Sequence, residues 1–292
     1  MSSFEYSTPA TIDQAIALLN QSGASALAGG TDLLIHQRAG IVAPKQLVDL
    51  SALDLNYVRK DDGVVRIGAM TTFAEILDSD VVRRDLPCLA ESAAEIGAVQ
   101  TRNMATLGGN LCSAVPSADS APPLLVYDAR VKIAGSDGER LVPLEQFFVG
   151  PKKNVLRPGE LLIEIQVAVP SPRTGARFLK LGRRKAMSLA VVNVAARLTL
   201  GQDHRRVENA RIALGAVAPT PRRAQRAESM LQGSNVSESL IDSAARAAAD
   251  EIAPISDLRA TATFRRETSR VLVKRALTQA WQMATGETKP ND

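Results

Sequence analysis

Two short segments decide the fold of this chain: Ala28-Gly-Gly-Thr-Asp-Leu-Leu34 and Thr106-Leu-Gly-Gly-Asn110. Each holds a glycine pair beside hydroxyl, carboxylate or amide side chains. A glycine pair lets backbone N–H groups approach an anion closely, and a helix start beside it adds donors. Neither segment has the G-x-G-x-x-G or the Walker spacing, so neither a Rossmann site nor a P-loop is predicted. One such pair is common in ordinary tight turns, but two of them indicate a diphosphate held from both sides.

The surroundings of the two glycine pairs differ. Ser25 to Ala28 predicts a buried strand that runs into the first pair, and Thr31 is positioned to cap a short helix that turns Leu33 and Leu34 inward. The second pair lies in the stretch 101–123, which is rich in Gly, Ser, Asn and Pro and has no clear periodicity. We expect this stretch to be a long loop, and a loop of about 20 residues inside a compact domain is usually functional.

Further along the chain, short strands and helices alternate and then separate. Tyr57 to Met70 predicts a hairpin that turns at Asp61-Asp62-Gly63, and Thr11 and Thr72 each have capping-box spacing before a helix. The last third places strands first and helices after, which is typical of an α+β unit. The predicted elements of this third are strands over 190–200 and 210–217 and helices over 220–232, 236–252 and 264–285.

The composition excludes several kinds of chemistry. The 292 residues include only two His (His36 and His204) and two Cys (Cys88 and Cys112). These are too few for a His-rich metal site, a zinc cluster or an iron–sulfur cluster held by this chain alone. Two cysteines also form at most one disulfide. If the chain is an enzyme, its difficult chemistry is therefore expected to reside in a bound cofactor.

Charge and hydropathy suggest a chain without nucleic-acid or membrane partners. There are 35 Lys and Arg against 31 Asp and Glu, giving a net charge of +4, and the two signs are interleaved. No basic tract with interspersed aromatic residues is present, so nucleic-acid binding is not expected. The most apolar window, 188–200, is broken by Asn193 and Arg197 and is too short to span a bilayer. The first residues lack a signal-peptide pattern, so we expect a cytoplasmic protein.

Three further stretches belong with the two glycine-pair segments: Pro116-Ser-Ala-Asp119, Ala121-Pro-Pro123 and Phe178-Leu-Lys-Leu-Gly-Arg-Arg184. Together they resemble the FAD-binding medium subunit of the molybdenum hydroxylases, a group that includes the xanthine, carbon monoxide and aldehyde dehydrogenases. The similarity runs from residue 4 to about residue 285. It implies an α+β chain: a bipartite FAD-binding domain of the vanillyl-alcohol-oxidase or PCMH type over 1–174, divided at about 1–55 and 56–174. A smaller α+β C-terminal domain, an antiparallel sheet with helices, would occupy 175–292.

The resemblance also implies which residues contact FAD. The first segment would hold the pyrophosphate through backbone N–H groups, and the second would close over it. An acid would contact the sugar or ribityl region, apolar side chains would lie against the isoalloxazine ring, and a basic residue would lie near the cofactor. The residues at these positions are Ala28, Gly29, Gly30, Thr31, Asp32, Leu33, Ile96, Thr106, Gly108, Gly109, Asn110, Ser113, Asp119, Leu161, Leu162 and Lys180.

Several of these residues have simpler alternative roles. Asp119 could cap a helix that enters 120–127, and Ile96 and Leu161 could be ordinary core residues. Lys180 could lie at a solvated strand end or in an intersubunit patch. His36 follows the first segment and could contact flavin or remain exposed. Cys112 has no neighbouring base in the sequence, so a nucleophilic role is not expected.

The resemblance implies partners as well. A large molybdopterin subunit would oxidise an N-heteroaromatic, purine or aldehyde substrate, and a small subunit with two [2Fe-2S] clusters would relay electrons to FAD, in a dimer of heterotrimers. FAD would reduce an external acceptor such as NAD⁺, oxygen or a quinone. The chain departs from the family at Ser188, where members often have Asp, and it lacks the Cys-rich insertion of some relatives. The alternatives are a stand-alone FAD-dependent oxidase or reductase of the vanillyl-alcohol-oxidase superfamily and a scaffold that has lost its cofactor.

Overall fold

The computed structural model describes residues 4–287, and its first unit is a small parallel sheet. The elements of this unit are β1 (Glu5–Ser7), α1 (Ile12–Leu19), β2 (Ala24–Leu27), α2 (Leu33–Arg38) and β3 (Gln46–Asp49). The strand order is β1-β3-β2, so the buried Leu47 and Val48 of β3 lie in the central strand. Thr11 begins α1 and its hydroxyl accepts from the Gln14 N–H, as predicted, although the Gln14 side chain accepts from Ala10 N.

A five-stranded antiparallel sheet follows, with the strand order β4-β5-β10-β6-β7. Its strands are β4 (Val58–Asp61), β5 (Val64–Gly68), β6 (Arg130–Gly135), β7 (Gly138–Pro143) and β10 (Leu161–Ala168), and β8 (Phe148–Gly150) and β9 (Lys153–Asn154) form a separate ribbon. The predicted hairpin is confirmed: Asp62 and Gly63 both have positive φ, 49° and 74°, as a type I′ turn requires.

Six helices connect β5 to β6: α3 (Phe73–Asp78), α4 (Asp80–Asp85), α5 (Pro87–Ala94), α6 (Val99–Arg102), α7 (Leu107–Ser113) and α8 (Ala121–Val126). The capping box predicted at Thr72 is confirmed, with Glu75 accepting from the Thr72 N–H at 2.8 Å. The predicted loop over 101–123 is wrong, because α7 and the start of α8 lie within it. Burial of Leu107 and Leu111 stabilises α7 despite its two glycines.

The predicted helix after the first glycine pair also differs from α2. Its N-cap is Asp32 rather than Thr31, no side chain caps it, and none of its residues is buried. Leu34 is 37% exposed and Ile35 is 61% exposed, so the expectation that Leu34 turns inward is wrong. The six-residue helix is too short to bury an apolar stripe of its own.

The last third of the chain confirms the predicted α+β arrangement. Its four-stranded antiparallel sheet has the order β11-β12-β13-β14, and three helices follow. These elements are β11 (Thr174–Gly182), β12 (Ala190–Leu200), β13 (Val207–Gly215), β14 (Arg222–Arg223), α9 (Gln225–Leu231), α10 (Glu238–Asp250) and α11 (Ala262–Thr285). Helix α11 packs on β11 and β12, and α10 packs on α11.

The two larger sheets share one hydrophobic core. Ala176 and Phe178 of β11 and Ala195 of β12 pack in the same buried cluster as Phe73, Leu89 and other residues from the helices above the five-stranded sheet. The predicted boundaries between 174 and 175 and between 55 and 56 stay predictions. Over residues 4–287, no helix is both long enough and apolar enough to cross a bilayer.

Candidate functional site

One cavity of about 700 Å³ lies where the two glycine-pair segments meet β10 and the loop between β11 and β12. Fifteen of the sixteen residues that the resemblance implies lie in its wall. These fifteen are Ala28, Gly29, Gly30, Thr31, Asp32, Leu33, Ile96, Thr106, Gly108, Gly109, Asn110, Ser113, Asp119, Leu161 and Leu162. Residues far apart in sequence are thus brought to one concave surface, which is the usual form of a cofactor site.

The first segment lines the cavity with free backbone donors. Among the residues that the structure describes, none accepts a hydrogen bond from the N–H groups of residues 29 to 33; the first N–H of this region with a backbone partner is that of Leu34, which donates to Gly30 O. Five successive unpaired N–H groups beside a cavity form a concentrated set of donors for an anion. A diphosphate fits this donor set.

The second segment has its backbone donors already occupied. Leu107 N donates to Thr71 O and Gly108 N donates to Ala69 O, both at 2.9 Å. Gly109 N donates to the Thr106 hydroxyl at 3.1 Å, and Asn110 N donates to Thr106 O. The second segment therefore contributes side chains and a closely approaching backbone rather than free N–H groups. The two segments are alike in sequence but not in function.

Glycine is required where the two segments meet. A Cβ atom on Gly29 would lie 1.7 Å from the carbonyl oxygen of Met104, just before the second segment. A Cβ atom on Gly109 would instead lie 2.9 Å from the Thr106 hydroxyl and 3.6 Å from the Ala28 Cβ. The backbone around Gly29 is thus pressed against the chain that leads into α7, and any larger residue would separate the two segments.

Apolar side chains form another part of the wall. Ile96 follows α5, and Leu161 and Leu162 begin β10; all three are buried. A register shift between Leu162 and Glu164 interrupts the pairing of β10 with β6. A planar aromatic ring system fits such a wall, because apolar contact is favourable and leaves the polar ring edge free for hydrogen bonds.

A buried ion pair joins Asp119, in the cavity wall, to Lys180 behind it. The Lys180 Nζ donates to Asp119 Oδ2 at 2.6 Å and to the Glu95 carbonyl oxygen at 2.9 Å, and Asn193 Nδ2 donates to Asp119 Oδ1 at 2.7 Å. Burial raises the pKa of Asp119, against the opposing effects of Lys180 and Asn193. Lys180 is the one implied residue outside the cavity wall. The alternative role for Asp119 is wrong, since the N-cap of α8 is Ser120 and no side chain caps that helix.

His36 and Cys112 also lie in the cavity wall. Removal from water raises the pKa of Cys112 to about 12, so the nucleophilic thiolate is not formed at neutral pH. Over residues 4–287, no three His, Cys, Asp or Glu side chains are grouped as metal ligands. The cavity therefore offers groups for binding, but it offers neither an activated cysteine nucleophile nor a cluster of metal ligands.

Sequence reasoning missed part of the wall. Met187 and Leu189, in the loop between β11 and β12, and Lys152 and Glu160, before β10, all line the cavity. Ser188 lies between the first two, and its hydroxyl accepts from Arg183 N. Met187 and Leu189 are 59% and 55% exposed. Two large apolar residues in an otherwise basic loop were the available sequence signal.

A largely buried carboxyl group, that of Glu91, joins α5 to the edge of the C-terminal sheet; its side chain is 19% exposed. Glu91 Oε1 accepts from Arg177 Nη1 and Glu91 Oε2 accepts from Phe178 N, both at 2.8 Å. Burial nevertheless raises the pKa of Glu91 from 4.5 to about 7. Since the folded protein then binds the proton more tightly than the unfolded chain does, this group contributes most stability below pH 4.5, and the contribution is lost as pH rises through 7.

We therefore predict that the free energy of unfolding falls with rising pH between about pH 4.5 and 7, with this group contributing roughly 1 kcal/mol per pH unit. The Glu91→Gln variant should lack that part of the slope, whereas the exposed Glu208→Gln variant should keep it. Urea unfolding at several pH values measures both. Parallel profiles for wild type and Glu91→Gln would contradict the assignment.

Comparisons with known proteins agree with this geometry. The family model described as "FAD binding domain in molybdopterin dehydrogenase" matches residues 2–172, and the model "CO dehydrogenase flavoprotein C-terminal domain" matches residues 177–280. The xanthine dehydrogenase FAD-binding subunit of Escherichia coli O157:H7 is 34% identical over 286 residues, which is 97% of each chain. The carbon monoxide dehydrogenase medium chain of Hydrogenophaga pseudoflava is 34% identical over 281 residues, covering 95% of this chain and 97% of that one.

A solved structure has the same fold. It is carbon monoxide dehydrogenase from Hydrogenophaga pseudoflava lacking the Mo-pyranopterin moiety of its molybdenum cofactor, and one of its chains superimposes with a TM-score of 0.93. That match has 34% sequence identity and covers 96% of this chain and 98% of the other. At this similarity the architecture is shared over nearly the whole length of both chains.

Proposed function

Because this chain belongs to the family of FAD-binding subunits of molybdopterin dehydrogenases, we propose that it holds FAD in the cavity between its two glycine-pair segments and relays electrons within a larger complex. The observation that carries the proposal is the row of five unpaired N–H groups from residue 29 to residue 33. These donors fit the diphosphate of FAD, which carries negative charge at neutral pH.

The rest of the cavity fits the other parts of the cofactor. Ile96, Leu161 and Leu162 offer an apolar wall for the isoalloxazine ring. Asn110 and Asp119 line the same cavity and offer amide and carboxylate groups to the sugar or ribityl hydroxyls. Ser120 donates to Asn110 Oδ1 at 2.6 Å, which holds this amide in place and leaves its NH₂ group free to donate. We therefore propose that these residues make the contacts with FAD that the family makes at the same positions.

This chain acts by binding and positioning. FAD, when bound, supplies electron transfer in one- or two-electron steps, which no side chain of the cavity provides. The first segment fixes the diphosphate, and the apolar wall fixes the ring and excludes water from one face. The loop with Met187 and Leu189 covers the cavity beside Ser188. Because Ser188 stands where some relatives have Asp, the approach to the flavin carries one negative charge fewer than in those relatives.

We propose that the partners supply the remaining chemistry. Relatives named as a medium chain and as an FAD-binding subunit support a complex with other subunits. A large molybdopterin subunit would oxidise an N-heteroaromatic, purine or aldehyde substrate, and a small subunit with two [2Fe-2S] clusters would deliver the electrons here, in a cytoplasmic dimer of heterotrimers. The acceptor would be NAD⁺, oxygen, a quinone or another acceptor.

The experiment compares the full chain alone with the assembled complex, both loaded with FAD and kept free of oxygen. Hypoxanthine, glyceraldehyde and quinoline serve as a purine, an aldehyde and an N-heteroaromatic probe. We expect at least one probe to bleach the flavin absorption in the complex and none to bleach it in the isolated chain.

Other outcomes would overturn this proposal. Bleaching of the isolated chain at the rate of the complex would support a stand-alone oxidase instead. Failure of the isolated chain and of the complex to hold any flavin would support a scaffold. Acid precipitation adds a check on the first alternative, since flavin released intact is not covalently attached.

A further inference from the structure

The turn after α5 presents four successive carbonyl groups to donors from other parts of the chain. Arg102 Nη1 donates to Ala94 O at 3.3 Å and to Ile96 O at 3.0 Å. Lys180 Nζ donates to Glu95 O, and Met187 N donates to Gly97 O at 3.2 Å. Because Ile96 and Gly97 line the cavity, these donors determine where that part of the wall stands.

Arg102 is the only one of these donors that bonds to two carbonyl groups of the turn. The cation lies at the carboxyl end of α5, where the helix dipole favours a positive charge. Both bonds come from one nitrogen, Nη1, which carries two N–H groups and so bridges the two carbonyl oxygens. Arg102 itself is not part of the cavity wall, so it does not contact the contents of the cavity directly.

The segment that carries Arg102 also contacts the first glycine-pair segment. A Cβ atom on Gly97 would lie 2.6 Å from the Thr101 Cβ, so α6 packs tightly beneath the turn. Two residues beyond Arg102, the Met104 carbonyl oxygen abuts Gly29 of the first segment. Met104 N and Ala105 N both donate to Thr101 O, which closes this connection into one compact turn. Helix α6 therefore links the apolar wall to the row of free N–H groups.

We propose that Arg102 is a positioning residue for the cofactor, which holds the Ile96 wall at a fixed distance from the diphosphate-binding segment. This inference rests on the proposed binding of FAD in the cavity. Without the guanidinium group, the carbonyl groups of Ala94 and Ile96 lose their common donor. The turn keeps its bonds from Lys180 and Met187 but is held less firmly. The flavin ring is then less closely confined, although the contacts to the diphosphate are retained.

The test uses the full chain, stripped of flavin and titrated with FAD, as wild type and as Arg102→Met, Arg102→Lys and Arg246→Met. Arg246 is the control, because it is an exposed arginine whose partner is Asp242, on α10. We expect Arg102→Met to raise the dissociation constant about tenfold, equivalent to about 1.4 kcal/mol. The anisotropy of the bound flavin's fluorescence should fall, and Arg102→Lys should restore part of both changes.

The inference predicts specific effects on FAD that a general loss of stability does not give. The inference would be overturned by equal dissociation constants and anisotropy in Arg102→Met and wild type. It would also be overturned if Arg102→Lys were as impaired as Arg102→Met, since the charge and hydrogen bond would then not matter. If wild type itself bound no FAD, the proposed cofactor site would fail, and this result is distinct from a difference confined to the Arg102 variants.

Discussion

The Gly29→Ala variant is expected to bind FAD at least ~100-fold more weakly than wild type. The added Cβ would lie 1.7 Å from the Met104 carbonyl oxygen and 2.6 Å from its carbon, and both are backbone atoms that a rotamer change cannot move. The first segment must therefore shift relative to the second, and the row of free N–H groups shifts with it. Equilibrium titration of the flavin-free chain with FAD measures the effect, and circular dichroism reports whether the fold is retained.

Two matched glycine variants control for the substitution itself. Gly150→Ala adds the same methyl group where the nearest atoms are 3.9 Å away, so its affinity for FAD should equal that of wild type. Gly109→Ala places its methyl group 2.9 Å from the Thr106 hydroxyl, a side-chain atom, and should have an intermediate affinity. Wild-type affinity in a folded Gly29→Ala protein would contradict the contact between the two segments.

The second large effect concerns the buried ion pair between Asp119 and Lys180. Asp119→Ala should lower the free energy of unfolding by about 3–5 kcal/mol, because it leaves the Lys180 ammonium buried without its carboxylate. The side chains of Lys180 and Asp119 are only 4% and 9% exposed. Lys180→Met should be destabilising for the converse reason. The double variant should lose less than the sum of the two, by roughly 1–3 kcal/mol.

Urea unfolding of the four proteins gives this double-mutant cycle. The surface pair Lys132–Glu139 provides the comparison, with side chains 30% and 51% exposed. Its removal should cost no more than about 1 kcal/mol. Additive losses at Asp119 and Lys180 would mean that the two side chains stabilise the fold independently, which would contradict the pairing.

Much of the fold was predictable because local signals and tertiary structure agree. The turn at Asp62 and Gly63 and the capping box at Thr72 depend on residues within a few positions of each other, and both are confirmed. Helix α7 was not predictable in this way. Its seven residues include Gly108 and Gly109, and it is held by the buried Leu107 and by bonds to the carbonyl groups of Ala69 and Thr71. Such distant contacts leave no local periodicity.

The same contrast holds for the candidate site: its location was predictable, but its hydrogen bonds to distant residues were not. The resemblance located fifteen wall residues, but it did not distinguish the free N–H groups of the first segment from the occupied ones of the second. It also did not indicate that Asn193, which is 74 positions from Asp119 in sequence, bonds to that carboxylate. These properties depend on which distant carbonyl or amide group lies within 3 Å, and the glycine pairs alone do not encode that.

In the proposed complex with FAD, the backbone of residues 29 to 33 holds the diphosphate. Hydrogen–deuterium exchange of the full chain with and without FAD tests it most directly. Free N–H groups exchange quickly, so FAD should slow exchange in peptides covering 29–33. Peptides covering 107–110, whose N–H groups are already bonded, should change much less. Unchanged exchange at 29–33 at saturating FAD, or slowing confined to 107–110, would contradict diphosphate binding by the backbone of residues 29 to 33.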